Sequence, residues 1–314
     1  MMIKSVLAAA TCTLSLVACV KQDDGPPDLD RALPTADQVS IKLPEKSART
    51  LDSLAVGQLA NWYVATRDVT RTFNGGSAWV LTLVHTIVQF PATSSKGDVF
   101  TWGPWSDALN PAEYKLEVKV VGNGTYAYLL SGRSKTQSNA AFEVVIDGTA
   151  DPRAGEAKGS GEFLIDFDAS RRVNPVDSSD AKGSVDVNYD LARGHLDLTV
   201  MSTDDQNKPV IANYAYNETA AGGDMTFNVT SDFAGSATAL KETLTLRSRW
   251  IPTGAGRADA RIAGGDLGTV QLTASECWNT MFNRVFYKDS VNLAATEGAE
   301  SACAFATQDL PLAP

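Results

Sequence analysis

Histidine and cysteine are scarce in this 314-residue chain, which has two histidines (His85, His195) and four cysteines (Cys12, Cys19, Cys277, Cys303). Few groups are therefore on hand for metal ligation or for a nucleophile with its base. Positive charge is also short: 27 Lys and Arg stand against 37 Asp and Glu, for a formal net charge of −10. A nucleic-acid face needs clustered cations to neutralise phosphates, so that class is excluded. Aromatic residues make up only 8%. No Gly-x-Ser-x-Gly elbow, His-Glu-x-x-His, phosphate-binding loop or Cys-x-x-Cys occurs. The Gly254-Ala255-Gly256 stretch lies between two apparent strands, so it reads as hairpin glycine rather than a dinucleotide fingerprint. The composition further excludes collagen-like, fully disordered and polytopic membrane classes, and leaves one large or two modest globular domains.

The amino terminus, in contrast, is informative. Lys4 precedes an apolar run from Val6 to Val17, which is too short to span a bilayer, and small residues follow before a cysteine. The ending Leu16-Val17-Ala18-Cys19 resembles the lipobox of bacterial lipoproteins. That resemblance implies a signal peptide over 1–18, diacylglycerol on the Cys19 thiol and an acylated new amino terminus. Cys12 lacks the branched apolar residue three positions upstream. Val20 and Lys21 follow Cys19, without the Asp that commonly retains lipoproteins at the inner membrane. The resemblance thus implies an outer-membrane anchor, with the body in the periplasm or at the cell surface. Two or three acyl chains make such an anchor stable.

Residues 19–48 are rich in Pro and Asp and bury too little apolar surface to offset ordering entropy, so they read as a tether. A single domain is expected over 49–314, beginning with a helical pair over 49–91. In the first helix Leu51, Ala55, Leu59, Trp62, Val69 and Phe73 recur at steps of three and four. Asn74-Gly75-Gly76 breaks it, Ser77 is placed to cap the next, and Ala78 to Phe90 is apolar nearly all round until Pro91. After Asp98 the period becomes two. Eleven alternating stretches, from Tyr114/Leu116/Val118/Val120 to Val270/Leu272, predict an antiparallel meander over 98–276 with one wet face. The turn-forming glycines between them suit hairpins and leave no room for helical crossovers.

The expected fold is mainly β, with a strongly curved meander or partial barrel of about eleven strands packed around a helix. A sandwich or a transmembrane barrel would show the same alternation, although the low aromatic content argues against the second. The architecture resembles lipoprotein-localisation-type lipid-binding half-barrels, with no motif matched residue by residue. The resemblance implies a concave apolar surface for a lipid or apolar small molecule, with Trp79, Leu83, His85, Trp102, Trp105, Tyr214 and Phe227 as candidate lining. A structural or adhesion module using the polar outer face is the alternative. A hydrolase built on Asp166, Asp168, Asp186, Asp190 and Asp197 is a third reading. No cofactor, metal site or catalytic residue is assigned, and oligomeric state is open. In an oxidising compartment Cys277 and Cys303 are expected to pair, pinning 277–314 to the last strand with about 3 kcal/mol of loop-closure stabilisation.

Overall fold

The alternating stretches take the form of one continuous antiparallel sheet of fifteen strands, whose spatial order is the chain order. The computed structural model describes residues 57–71, 92–155, 158–176, 182–203, 207–233, 240–291 and 296–310. The strands are β1 (Ser94–Lys96), β2 (Val99–Trp105), β3 (Ala112–Gly122), β4 (Thr125–Ser134), β5 (Glu143–Asp151), β6 (Ser160–Asp166), β7 (Ser184–Asp190) and β8 (His195–Thr203). They continue as β9 (Pro209–Thr219), β10 (Gly222–Ser231), β11 (Glu242–Trp250), β12 (Gly256–Ala263), β13 (Gln271–Trp278), β14 (Arg284–Asp289) and β15 (Thr296–Gly298). The sheet is not closed into a barrel, and its two outer strands, β1 and β15, are three residues each. Such short edges offer little template for pairing with another chain.

The structure corrects several expectations. All eleven expected strands are present, and four more join them. β2 carries Trp102 and Trp105; a register shift there masks the alternation, yet Trp102 pairs with Leu116 and Trp105 with Tyr114. β14 and β15 extend the sheet into the segment expected only to be pinned by the disulfide. The meander is expected to run without helices, but Phe167 opens the short helix α2 (Phe167–Val173), because Asp166 caps it by accepting from the Ala169 amide at 2.8 Å. Val144 is exposed and Val145 buried, since a register shift between Leu130 and Ser131 moves the apolar face by one residue. Val270 is exposed and precedes β13. The stretches expected to form the second helix, with Trp79, Leu83 and His85, the signal with Cys19, and the tether lie outside the described residues.

One face of the sheet forms the core, with Leu116, Leu130, Ile146, Phe163, Ile165, Val187, Tyr214 and Met225 all buried. Aromatic rings there lie over glycines of neighbouring strands. A Cβ on Gly148 would come 2.6 Å from the Tyr128 ring, one on Gly161 2.5 Å from the Tyr189 hydroxyl, and one on Gly223 2.6 Å from Trp250. Each glycine leaves a seat that its partner ring fills, which lets large side chains pack flat on a crowded face. Burial raises the Tyr128 phenol far above its ordinary value, and that of Tyr189 also rises. Both hydroxyls are buried without a hydrogen-bond partner among the described residues.

A helix at 61–71, α1, meets this same face from β13 toward β10. The buried Glu276 carboxylate accepts from the Trp62 amide at 2.5 Å and the Asn61 amide at 3.2 Å, satisfying two free donors at the helix start. Thr66 Oγ1 lies 2.6 Å from Ser248 Oγ on β11, and Thr70 Oγ1 meets the Met225 sulfur on β10 at 3.9 Å. Tyr63 stacks on Phe282 with centroids 4.4 Å apart and tilts onto Trp278 at 5.7 Å. Just before α1, Gly57 and Ala60 donate to the carbonyls of Arg284 and Phe282, so the chain enters the helix already paired to the β13–β14 connection.

Candidate functional site

The opposite face of the sheet carries the polar side chains, and the register arranges them in rows across the strands. One row runs Glu117, Leu129, Asp147, Leu164, Asp186, Thr199 and Asn213, from β3 to β9. The row beside it runs Lys119, Ala127, Thr149, Glu162, Asn188 and Asp197. Between them a groove of about 610 Å3 opens over β3 to β7, with Val99 at one end and Asp186 at the other. Its floor is Ala127, Leu129, Thr149 and Leu164, and its charged groups are Glu117, Lys119, Asp147, Glu162 and Asp186.

Acids and leucines alternate along the first row. Adjacent strands lie about 4.8 Å apart, so successive carboxylates stand about 10 Å apart with an apolar side chain between them. Lys115 holds Glu117 at 2.7 Å. Asp147, Glu162 and Asp186 make no salt bridge among the described residues, whereas the other outer-face acids are engaged. Asp151 is bonded by Arg153, which lowers its carboxyl below the usual value, the side-chain hydrogen bond being the largest cause. Asp168 pairs with Arg171, Asp190 with Arg193 at 3.4 Å, and Asp197 with His195 at 2.7 Å. Among the described residues no three His, Cys, Asp or Glu side chains converge as metal ligands. Four of the five acids of the hydrolase reading are thus taken up by separate local partners, Asp166 by capping α2, and only Asp186 faces the groove.

His195 sits on this face between Asn217 Oδ1 and Asp197 Oδ2, at 2.7 Å from each. Burial works against the charged ring, but the bonds to Asn217 and Asp197 and the charges of Asp197 and Asp190 outweigh it and raise the pKa above 6.5. A histidine raised on folding stabilises fully below its unfolded pKa, and that contribution is lost as pH rises through the folded value. An NMR titration of the ring is expected to show a midpoint above 6.5, returning toward it in Asp197→Asn. An unchanged midpoint in that variant would mean that the Asp197 contact does not operate in solution.

The far end of the same face, β11 to β13, is covered rather than open. Arg257 and Asp259, on a strand face expected to be wet, are 1% and 0% exposed. The segment after Cys303 crosses them. Cys303 is disulfide-bonded to Cys277 with Cα atoms 5.4 Å apart. Arg257 donates to the Phe305 carbonyl and Arg249 to the Thr307 carbonyl, while the Asp309 amide donates to Asp259 Oδ2. Asp259 also accepts from Arg257 at 3.0 Å and from Ser275 at 2.6 Å. The Arg249 guanidinium lies 4.9 Å from the centre of the Phe305 ring. The disulfide anchors one end of this strap and paired charges hold the rest.

Of the expected apolar lining, Trp102 and Tyr214 are buried in the core, at 3% and 1% exposure, while Trp105 and Phe227 are partly buried against it. The residues of the groove were missed as a site because each reads singly as a solvated strand residue. The signal that could have found them is cross-strand: it needs the register, since Glu117, Asp147 and Asp186 are far apart in sequence. No protein-family model, curated protein or solved structure matches this chain.

Proposed function

We propose that this chain is a lipid-anchored lipoprotein of the cell envelope, whose body is a non-enzymatic binding module that receives a basic, elongated partner segment in the outer-face groove. The observation that supports this reading is the row of carboxylates in which Asp147 and Asp186 pair with no cation among the described residues. Leucines between the acids offer the aliphatic stems of lysine or arginine an apolar bed. The lipobox resemblance supports the anchor, and the tether would hold the sheet face clear of the membrane.

Hexalysine is expected to bind the full-length protein with an affinity that falls as salt rises, because the contacts are exposed charges. Asp147→Lys with Asp186→Lys is expected to weaken that binding about tenfold, equivalent to ~1.4 kcal/mol. Equal affinity for wild type and double variant, measured by calorimetry, would refute the groove. Native mass spectrometry of protein extracted from membranes addresses the anchor, which should appear as the mass of a diacylglyceryl and an acyl group on Cys19. The same spectrum addresses a second reading, an apolar ligand on the inner face. That reading draws on the buried hydroxyls of Tyr128 and Tyr189, which have no partner among the described residues and would meet the polar end of a lipid. A non-covalently bound lipid would favour it, and ligand-free protein would remove it.

A further inference from the structure

Three buried arginines lie on β12 and β14, and two of them meet carboxylates. Arg257 meets Asp259 at 3.0 Å, Glu300 at 2.8 Å and the hydroxyl of Ser275 at 2.8 Å. Arg284 meets Glu276 at 2.5 Å and Glu297 at 3.1 Å. The third, Arg261, is 8% exposed, makes no hydrogen bond or salt bridge among the described residues, and has a buried, unsatisfied Nη2. A guanidinium cannot shed its charge as a buried lysine can, so leaving one buried and unpaired is costly.

Among the described residues, the cross-strand neighbours of Arg261 are hydroxyl side chains. The register sets it between Thr245 on β11 and Thr273 on β13, on the outer face. Thr245 is buried and its Oγ1 donates to Asn228 Oδ1 at 2.8 Å. Turning the Asn228 amide over would reverse that bond and release the hydroxyl proton to another acceptor. Asp259, two residues before Arg261 on the same face, is already saturated by Arg257, Ser275 and the Asp309 amide. From this unpaired cation among hydroxyl donors we infer an oxyanion site: Arg261, flanked by Thr245 and Thr273, takes a phosphate or sulfate group. A tetrahedral oxyanion suits a guanidinium fork with hydroxyls at its sides, because it offers acceptors in several directions. The site is separate from the β3–β7 groove and stands whether or not that groove binds a basic partner.

Thermal unfolding of the full-length protein at constant ionic strength tests this. One arm uses inorganic phosphate and the other dihexanoyl phosphatidylglycerol below its micelle concentration, with chloride as control. A rise in Tm of about 5 to 10 °C is expected at a hundredfold excess over Kd. A rise with phosphate identifies a free oxyanion as sufficient, and a rise with the lipid alone identifies a head group; either supports the site. Arg261→Met should lose the response and, without anion, melt no lower than wild type, because the unpaired charge is gone. Should Arg261→Met fail to fold, Arg261→Lys carries the test, keeping the charge but losing the fork and binding at least about fivefold more weakly. No rise in either arm, or an undiminished rise in these variants, would overturn the proposal.

Discussion

Glu276→Ala is expected to destabilise the protein by about 3–5 kcal/mol, the usual cost of stranding one partner of a buried ion pair. Glu276 is 0% exposed and its carboxylate serves three donors: the amides of Asn61 and Trp62 and the Arg284 side chain. Truncation would leave two amides at the start of α1 without their acceptor and Arg284, itself 2% exposed, without its closest counter-charge. Burial pushes the Glu276 carboxyl up, while the Trp62 amide, Arg284 and the Asn61 amide pull it partly back. With the folded pKa raised, this group favours folding most below its unfolded pKa, and that contribution is lost as pH rises through the folded one. The pair is therefore specific rather than strongly stabilising at neutral pH. Glu276→Met with Arg284→Met should accordingly recover the part of the loss that comes from stranding Arg284, while the two amides at the start of α1 stay without their acceptor, as measured by urea unfolding. A loss below about 1 kcal/mol for Glu276→Ala would show that α1 is not held by this carboxylate.

Gly161→Ala should cost about 3 kcal/mol or more, unusually much for a single methyl. An added Cβ at Gly161 would stand 2.2 Å from the Thr149 carbonyl oxygen and 2.5 Å from the Tyr189 hydroxyl. The carbonyl belongs to β5, whose ladder with β6 would have to open locally for it to retreat, while the Tyr189 ring is held among core residues. For a sheet of this size the expected fall in Tm is about 6 to 12 °C. Tyr189→Leu in the same chain would relieve the ring contact but not the carbonyl, so only partial recovery is expected. Full recovery would assign the whole cost to the ring, and a fall within about 2 °C would show that the strands part easily at this point.

The parts of the fold legible in the chain are those where one residue type repeats on one face. Leu116, Val118 and their counterparts alternate cleanly because their strands have one apolar face, and burial there reads directly as period two. Where the backbone breaks that period, the reading failed. β2 is interrupted by Gly103 and Pro104, the bulge beside Leu130 shifts Val144 outward, and Asp166 turns a strand into α2 through a single capping bond. Arg257 and Asp259 looked like wet-face charges because nothing local tells a solvated strand from one beneath a distant segment. The strap that buries them arrives about fifty residues later in sequence, as the Asp259 to Asp309 contact shows. The candidate groove was equally hidden: its acids were each visible, but their alignment depends on registers set by four successive pairings from β3 to β7.

Local pattern by itself determined eleven of the strands and the antiparallel meander without crossovers. These follow from residue type and near-neighbour spacing, which act within a few residues of chain. Tertiary structure alone decided that the sheet has fifteen strands and stays open, that α1 hangs on Glu276, and that Arg257 is paired where Arg261 is not. Each of those turns on contacts between residues remote in sequence, whose energies exist only once packing has removed water from around them.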